Sequence, residues 1–184
     1  MKRRQREAIV AELDKKLAAR DSWCGETHLQ KSIYFLQELL GVPTGFRYIL
    51  YKYGPFSREL REELGTMRAD GFLELVPQPA PYGPKLTATP AADRQLITRW
   101  PKTLKRYDDQ LDFVADKLGG LGVGALEQFA TALWVSREIP QTSRPEQATR
   151  INQLKPHVSP MQALDALEQV ADIAQEAAAI RIQR

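Results

Sequence analysis

Three side chains in the sequence offer a soft or imidazole group for a nucleophile or a metal ligand: Cys24, His28 and His157. Cys24 and His28 stand four apart, the spacing that places two residues on one helical face, and a thiolate–imidazole pair is a workable nucleophile. Thr27 followed by Gln30, however, has the form of a helix capping box, which leaves Cys24 in the loop before the helix. His157, between two prolines in LKPHVSP, reads as a connector or interface residue. A zinc site asks for four ligands, or three and a water, and the sequence offers no such cluster; neither metal nor cofactor is expected. The carboxylates Asp108, Asp109 and Asp112, and Glu59, Glu62 and Glu63, fall on charged helical faces, with nothing in their spacing to separate two pKa values for acid–base work. The glycine-rich run GGLGVG at 119–124 follows no strand and lacks the Gly-Lys-Ser/Thr ending of a phosphate loop, so it reads as a linker between helices. The expectation is of a protein that is not an enzyme.

A second group of residues has the chemistry of recognition. Lys52-Tyr53-Gly54-Pro55-Phe56-Ser57 follows the alternating run FRYILY and precedes the charged run RELREELGTMRADG. Gly54 is free to take a positive φ, Pro55 has its φ pre-set, and Ser57 suits a helix N-cap, so the stretch reads as a strand-to-helix corner. Tyr51, Lys52, Tyr53 and Phe56 around it are also the residue types of an exposed partner-binding surface.

Such residues need elements to position them. Ile9, Val10, Leu13 and Leu17 form one stripe of a helix over about residues 3–20, and Leu29, Ile33, Leu36 and Leu40 form that of a second helix, stopped by Gly41 and Pro43. FRYILYKY alternates like a strand. A third helix from Ser57 to Asp70 carries Leu60, Leu64 and Met67, with Gly71 to close it. FLELV and KLTAT read as two short strands joined by the proline-rich loop PQPAPYGP. Three helices and a hairpin in that order predict a winged helix-turn-helix domain over residues 1–90, with the loop as its wing tip.

Residues 91–184 read as a helical C-terminal region packed on that domain or forming an oligomer or partner surface. Pro90 opens it, and Pro101 interrupts the helical pattern before KTLKRYDDQLDFVADKL. Leu126, Phe129, Ala130 and Leu133 form another stripe, and Ser143 with Pro145, and Ser159 with Pro160, open two further helices. The tail AQEAAAIRIQR is expected to fray. The fold class is mainly α with a small β-hairpin, α+β.

With 184 residues and 43% hydrophobic content, the chain suits one domain or a domain with an appended bundle. A single cysteine excludes an intramolecular disulfide. No run approaches the roughly 18 apolar residues of a membrane span. The basic, amphipathic start lacks the apolar core of a secretory signal, so a cytoplasmic protein without membrane contact is expected. The net charge of +3 is mild. It is concentrated, however, in Arg3, Arg4 and Arg6 with the other bases of the first twenty residues, and in Arg94, Arg99, Lys102, Lys105 and Arg106. Such clusters either attract phosphate or form solvated faces. The third helix sets Arg58, Arg61 and Arg68 against Glu59, Glu62, Glu63 and Asp70, so base reading by that helix is not expected.

HLQKSIYFLQELLG, then YKYGPFSRELREEL and GFLEL, resembles the uncharacterised bacterial YwgA-like proteins and, more remotely, the Panacea or SocA-like antitoxin domain. Leu29-Gln30-Lys31 and Tyr53-Gly54-Pro55 carry the likeness, which covers roughly residues 26–76; ATALWV and LKPHVSPMQAL are similar to the YwgA-like group only. The resemblance implies that Gln30 and Lys31 brace the Tyr-Gly-Pro corner by hydrogen-bonding its carbonyls. It also implies a non-catalytic, antitoxin-like regulatory protein that binds a protein partner or a second copy of itself, a homodimer in the latter case. The alternative is a DNA-binding regulator that uses the basic N-terminal arm and the 94–106 segment.

Overall fold

The structure, a computed structural model, describes residues 1–79 and 83–182. The first helix, α1 (Arg3–Ala18), buries Ile9, Val10, Leu13 and Leu17 completely, each stabilising the fold by about 1.5–3 kcal/mol. The stripe is so well covered because α1 is wrapped by later chain: α5 (Pro101–Arg106), α6 (Asp108–Leu118) and a π-helical turn at Asp93–Ile97 all pack on it.

The second helix, α2 (Glu26–Glu38), begins one residue before Thr27 and has Gly25 as its N-cap, not Thr27. The expected capping box fails because the Gln30 amide is engaged elsewhere, on the backbone of Ser57. Cys24 does lie in the preceding loop, with a positive φ of 43°.

The run FRYILYKY is a strand only over β1 (Ile49–Tyr51). Upstream, side chains occupy the backbone groups a ladder would need. Gln37 accepts from the Phe46 N–H and donates to the Phe46 carbonyl, both at 2.9 Å, and the Arg47 N–H donates to Glu59 at 3.0 Å. KYGPFS is accordingly not a plain strand-to-helix corner. The chain reverses at Lys52-Tyr53 and returns as β2 (Gly54–Phe56), antiparallel to β1 with Tyr51 opposite Gly54. The left-handed residue of the reversal is Gly54, at φ +84°, the position a hairpin loop ending in glycine requires.

Ser57 then caps α3 (Arg58–Ala69), its hydroxyl accepting from the Leu60 N–H at 3.2 Å. Leu60, Leu64 and Met67 turn inward, and Gly71, at φ +72°, ends the helix. A second antiparallel hairpin joins β3 (Leu73–Val76) to β4 (Lys85–Ala88). Residues 80–82 of its proline-rich loop, the expected wing tip, lie outside the described residues.

Beyond it, Thr89 caps a short turn α4 (Pro90–Ala92) that runs into the π-helical turn. The helical pattern does break before Pro101, which opens α5, and it breaks again at Tyr107, between α5 and α6. The glycine-rich run links α6 to α7 (Val123–Glu138). Capping boxes at Ser143 and Ser159 start α8 (Arg144–Leu154) and α9 (Pro160–Ala177).

The last helix ends at Ala177, and the non-helical stretch after it returns to the body of the fold. The Gln110 amide donates to the Ile180 carbonyl, and the Ile182 N–H donates to the Leu40 carbonyl at 2.8 Å. The result is a mainly helical α+β fold with two small hairpins. Helices from both sides of residue 90 share one buried core, with α6 and α7 packed on α2 and α7, α8 and α9 packed on one another. Among the described residues no helix is long and apolar enough to cross a membrane.

Candidate functional site

The β1–β2 hairpin is fastened from beneath by buried polar side chains. Gln30 Nε2 donates to the Ser57 carbonyl at 2.9 Å, and the Ser57 N–H donates to Gln30 Oε1 at 3.0 Å. Next to it, Lys31 Nζ donates to the Pro55 carbonyl at 2.9 Å. From the far end of α8, Lys155 Nζ donates to the carbonyls of Tyr51 and Lys52. Both residues adjoin the turn, so α2 holds one strand and Lys155 the other.

The two ammonium groups are nearly inaccessible, Lys31 at 2% exposure and Lys155 at 4%. Glu127 on α7 answers their charge: its Oε1 lies 3.8 Å from Lys155 Nζ and 3.4 Å from His157 Nε2. Burial pushes the Lys31 ammonium down to about 8, opposed by the attraction of Glu127 and assisted by repulsion from Lys155. Burial likewise lowers Lys155, again opposed by Glu127. Ammonium groups are kept in such a place only when carbonyls and a carboxylate surround them. Gly54 fits against the same assembly: a Cβ there would stand 3.1 Å from Thr131 Oγ1 on α7.

Above this base the hairpin is open. Tyr51 is 60% exposed and Tyr53 54%, with Ile49 beside them. The Tyr51 ring leans on Phe56, centroids 5.8 Å apart, and Lys52 Nζ lies 5.3 Å from the centre of the Tyr53 ring. On one side the hairpin walls a cleft of about 470 Å³ that continues over Gln30 and Lys31 to Arg58 and Arg61. On the other it walls a shallower cleft toward Leu154, Pro156 and His157. The exposed aromatics thus stand on a ridge with concave surface on both flanks.

The charge on α3 is partitioned in a way the sequence does not reveal. Glu63 is buried against Arg6, Glu59 is held by Arg47, and Asp70 at its C-cap by Arg4 at 3.2 Å. Exposed along the helix are Arg58, Arg61, Glu62, Gly65, Arg68 and Ala69, while Glu59 and Asp70 stay partly exposed with their charge answered by Arg47 and Arg4. Arg61 approaches Glu26 at 3.6 Å. The acid-rich count in the sequence becomes a basic outer face.

Of the other residues singled out by sequence, Arg3 and Arg4 converge on Glu7, at 2.9 and 2.7 Å, while Arg6 is bound to Glu63 and stacks over Phe46. Arg4 and Arg6 therefore tie α1 to Asp70 and Glu63, whereas Arg3 pairs only within α1 and stays about half exposed. Arg94, Arg99 and Lys102 are exposed and form no ion pair among the described residues. Cys24 and His28 do not engage each other. The thiol donates to the Asp14 carbonyl at 3.6 Å, and burial pushes it up to about 11. The His28 ring bonds Ser22 Oγ and the Leu118 carbonyl, and burial lowers it below the usual imidazole range. Among the described residues no cluster of three or more His, Cys, Asp or Glu could hold a metal.

Sequence reasoning missed Lys155 and Glu127. Each carries a faint signal: a lysine directly before Pro156 at a helix end, and a single acid beside the apolar stripe of Leu126, Phe129, Ala130 and Leu133. No protein-family model matches the chain, and no curated protein matches it either.

Proposed function

We propose that the protein is a cytoplasmic, non-catalytic regulator that docks a protein partner on the β1–β2 hairpin, a winged-helix and antitoxin-like relative of the YwgA-like proteins its motifs resemble. The observation that carries this reading is the contrast at the turn: Tyr51 and Tyr53 are more than half exposed, while the carbonyls beneath them are fastened by Lys31 and Lys155. A surface already rigid loses little conformational entropy on binding, and tyrosine and arginine are the residue types that anchor interfaces. The order α1, α2, α3 and the β3–β4 hairpin supports the winged-helix assignment. A catalytic role draws little support, since the Cys24 thiol stays protonated at neutral pH and both nitrogens of His28 are engaged.

A DNA-binding reading keeps one favourable observation, the exposed and unpaired Arg94, Arg99 and Lys102. Its other half is weakened, because Arg3, Arg4 and Arg6 already face Glu7, Asp70 and Glu63. Affinity capture from the native host separates the two. A Tyr51→Ala/Tyr53→Ala double variant should lose the partner while its melting temperature is unchanged. Undiminished capture of the same partner by that variant overturns the docking reading.

A further inference from the structure

Resting on that reading, we infer that the partner contributes an acidic segment with apolar anchors at its two ends, laid along the outer face of α3. The cleft beside the first hairpin and a second one of about 500 Å³ share Glu26, Thr27 and Arg61, so they adjoin along the helix on the two sides of the Arg61–Glu26 pair. At one end stand Tyr51, Tyr53 and Phe56; at the other, Leu75 of the second hairpin and Val123. Tyr51, Tyr53, Leu75 and Val123 are exposed at the surface, and Phe56 is half-buried. Between them Arg58, Arg61 and Arg68 span about 15 Å of helix, the length of about five residues of extended chain.

Gly65 points the same way from a separate observation. It sits inside α3 on the exposed face, where glycine costs about 1 kcal/mol against alanine. Nothing in the fold requires it: an added Cβ would meet no atom within 4 Å. A bare backbone between Arg61 and Arg68 lets a second chain approach the helix closely. The groove also carries Glu26 and Glu62. Those carboxylates repel a continuous phosphate backbone but leave room for an acidic peptide whose charges are spaced to the arginines, which makes a protein segment the better complement.

The test uses the whole chain and a fluorescent random glutamate–tyrosine copolymer as probe, with a lysine–tyrosine copolymer and a DNA duplex beside it. The glutamate–tyrosine copolymer should bind the most tightly. Arg58→Gln/Arg61→Gln/Arg68→Gln should weaken it about tenfold or more, with the melting temperature held. Gly65→Gln should also weaken it while raising the melting temperature, an opposition a purely structural glycine would not show. Arg94→Gln/Arg99→Gln/Lys102→Gln should bind as the parent does. The inference is overturned if the copolymer binds the α3 arginine variant or the Gly65 variant undiminished, if loss follows the 94–102 variant, or if the duplex binds as tightly through the same three arginines. Capture of the native partner keeps the two proposals apart. Survival after the arginine changes but not after Tyr51→Ala/Tyr53→Ala removes the acidic segment and leaves the hairpin; survival after both removes the hairpin reading itself.

Discussion

Gln30 and Ser57, 27 residues apart, exchange two hydrogen bonds, so a helix side chain copies the pairing that a neighbouring strand would give. Both residues are buried. Gln30→Ala therefore strands an N–H and a carbonyl at the point where β2 becomes α3, and should destabilise the fold by about 1–3 kcal/mol. Gln30→Glu keeps the acceptor but sets a buried carboxylate oxygen against the Ser57 carbonyl, and should cost at least as much at neutral pH. Urea midpoints of the three proteins check the order.

Gly54→Val should be among the most damaging changes in the hairpin. The backbone there has φ +84°, and the new side chain would press on Thr131. A β-branched residue in that region costs about 1–3 kcal/mol before any clash is counted. Thermal melts read this directly, and Gly54→Ala should show a smaller loss of the same sign.

Lys31 makes stability depend on alkaline pH. Its pKa is about 8 in the fold against 10.5 for an ordinary lysine, so between those values the unfolded chain holds the extra proton. Stability accordingly rises as pH rises through that window, and the penalty of the buried charge is fully present below it. Lys31→Met should be less stable through loss of the Pro55 contact, yet flatter across the same pH range. Denaturant titrations of both proteins at several alkaline pH values supply the comparison.

Asp14 acts in the opposite sense on the acid side. Its Oδ2 accepts from the Ala88 N–H at 2.8 Å, tying α1 to β4, while Oδ1 has no partner among the described residues. Burial raises it from 3.8 to about 6. The folded state therefore holds the extra proton between those values, and stability falls as pH rises through them. Asp14→Asn should remove that fall and leave a protein at least as stable at neutral pH, as read from melting temperatures between pH 4 and 7.

What could be read in advance was local. The stripe of Ile9, Val10, Leu13 and Leu17 and the caps at Ser57, Ser143 and Ser159 depend on neighbours within a turn or two, and the structure places them as the spacing implies. FRYILYKY misled because its alternation is genuine but its backbone is occupied by Gln37 and Glu59, from two different helices. The charge of α3 misled for a similar reason. Counting along the helix cannot show that Arg6, Arg47 and Arg4, all outside it, answer the charge of Glu63, Glu59 and Asp70. At the candidate site, Gly54 could be singled out from its type and place, and Gln30 and Lys31 from the motif resemblance, whereas Lys155 and Glu127 arrive from distant chain that no periodicity links to the turn.

The Lys155 clasp also gives the hairpin a history. Lys155 follows Lys52 by 103 residues. On a ribosome adding about 5–20 residues per second, the turn waits about 5–20 seconds before the side chain that secures it has been synthesised. During that interval the carbonyls of Tyr51 and Lys52 lack their ammonium, and the hairpin has partners on the α2 side alone, Gln30 and Lys31. Nascent chains and fragments that stop short of α8 present the aromatics without the rigidity beneath them. Any binder of the finished hairpin would therefore distinguish chains with the clasp from those still being made.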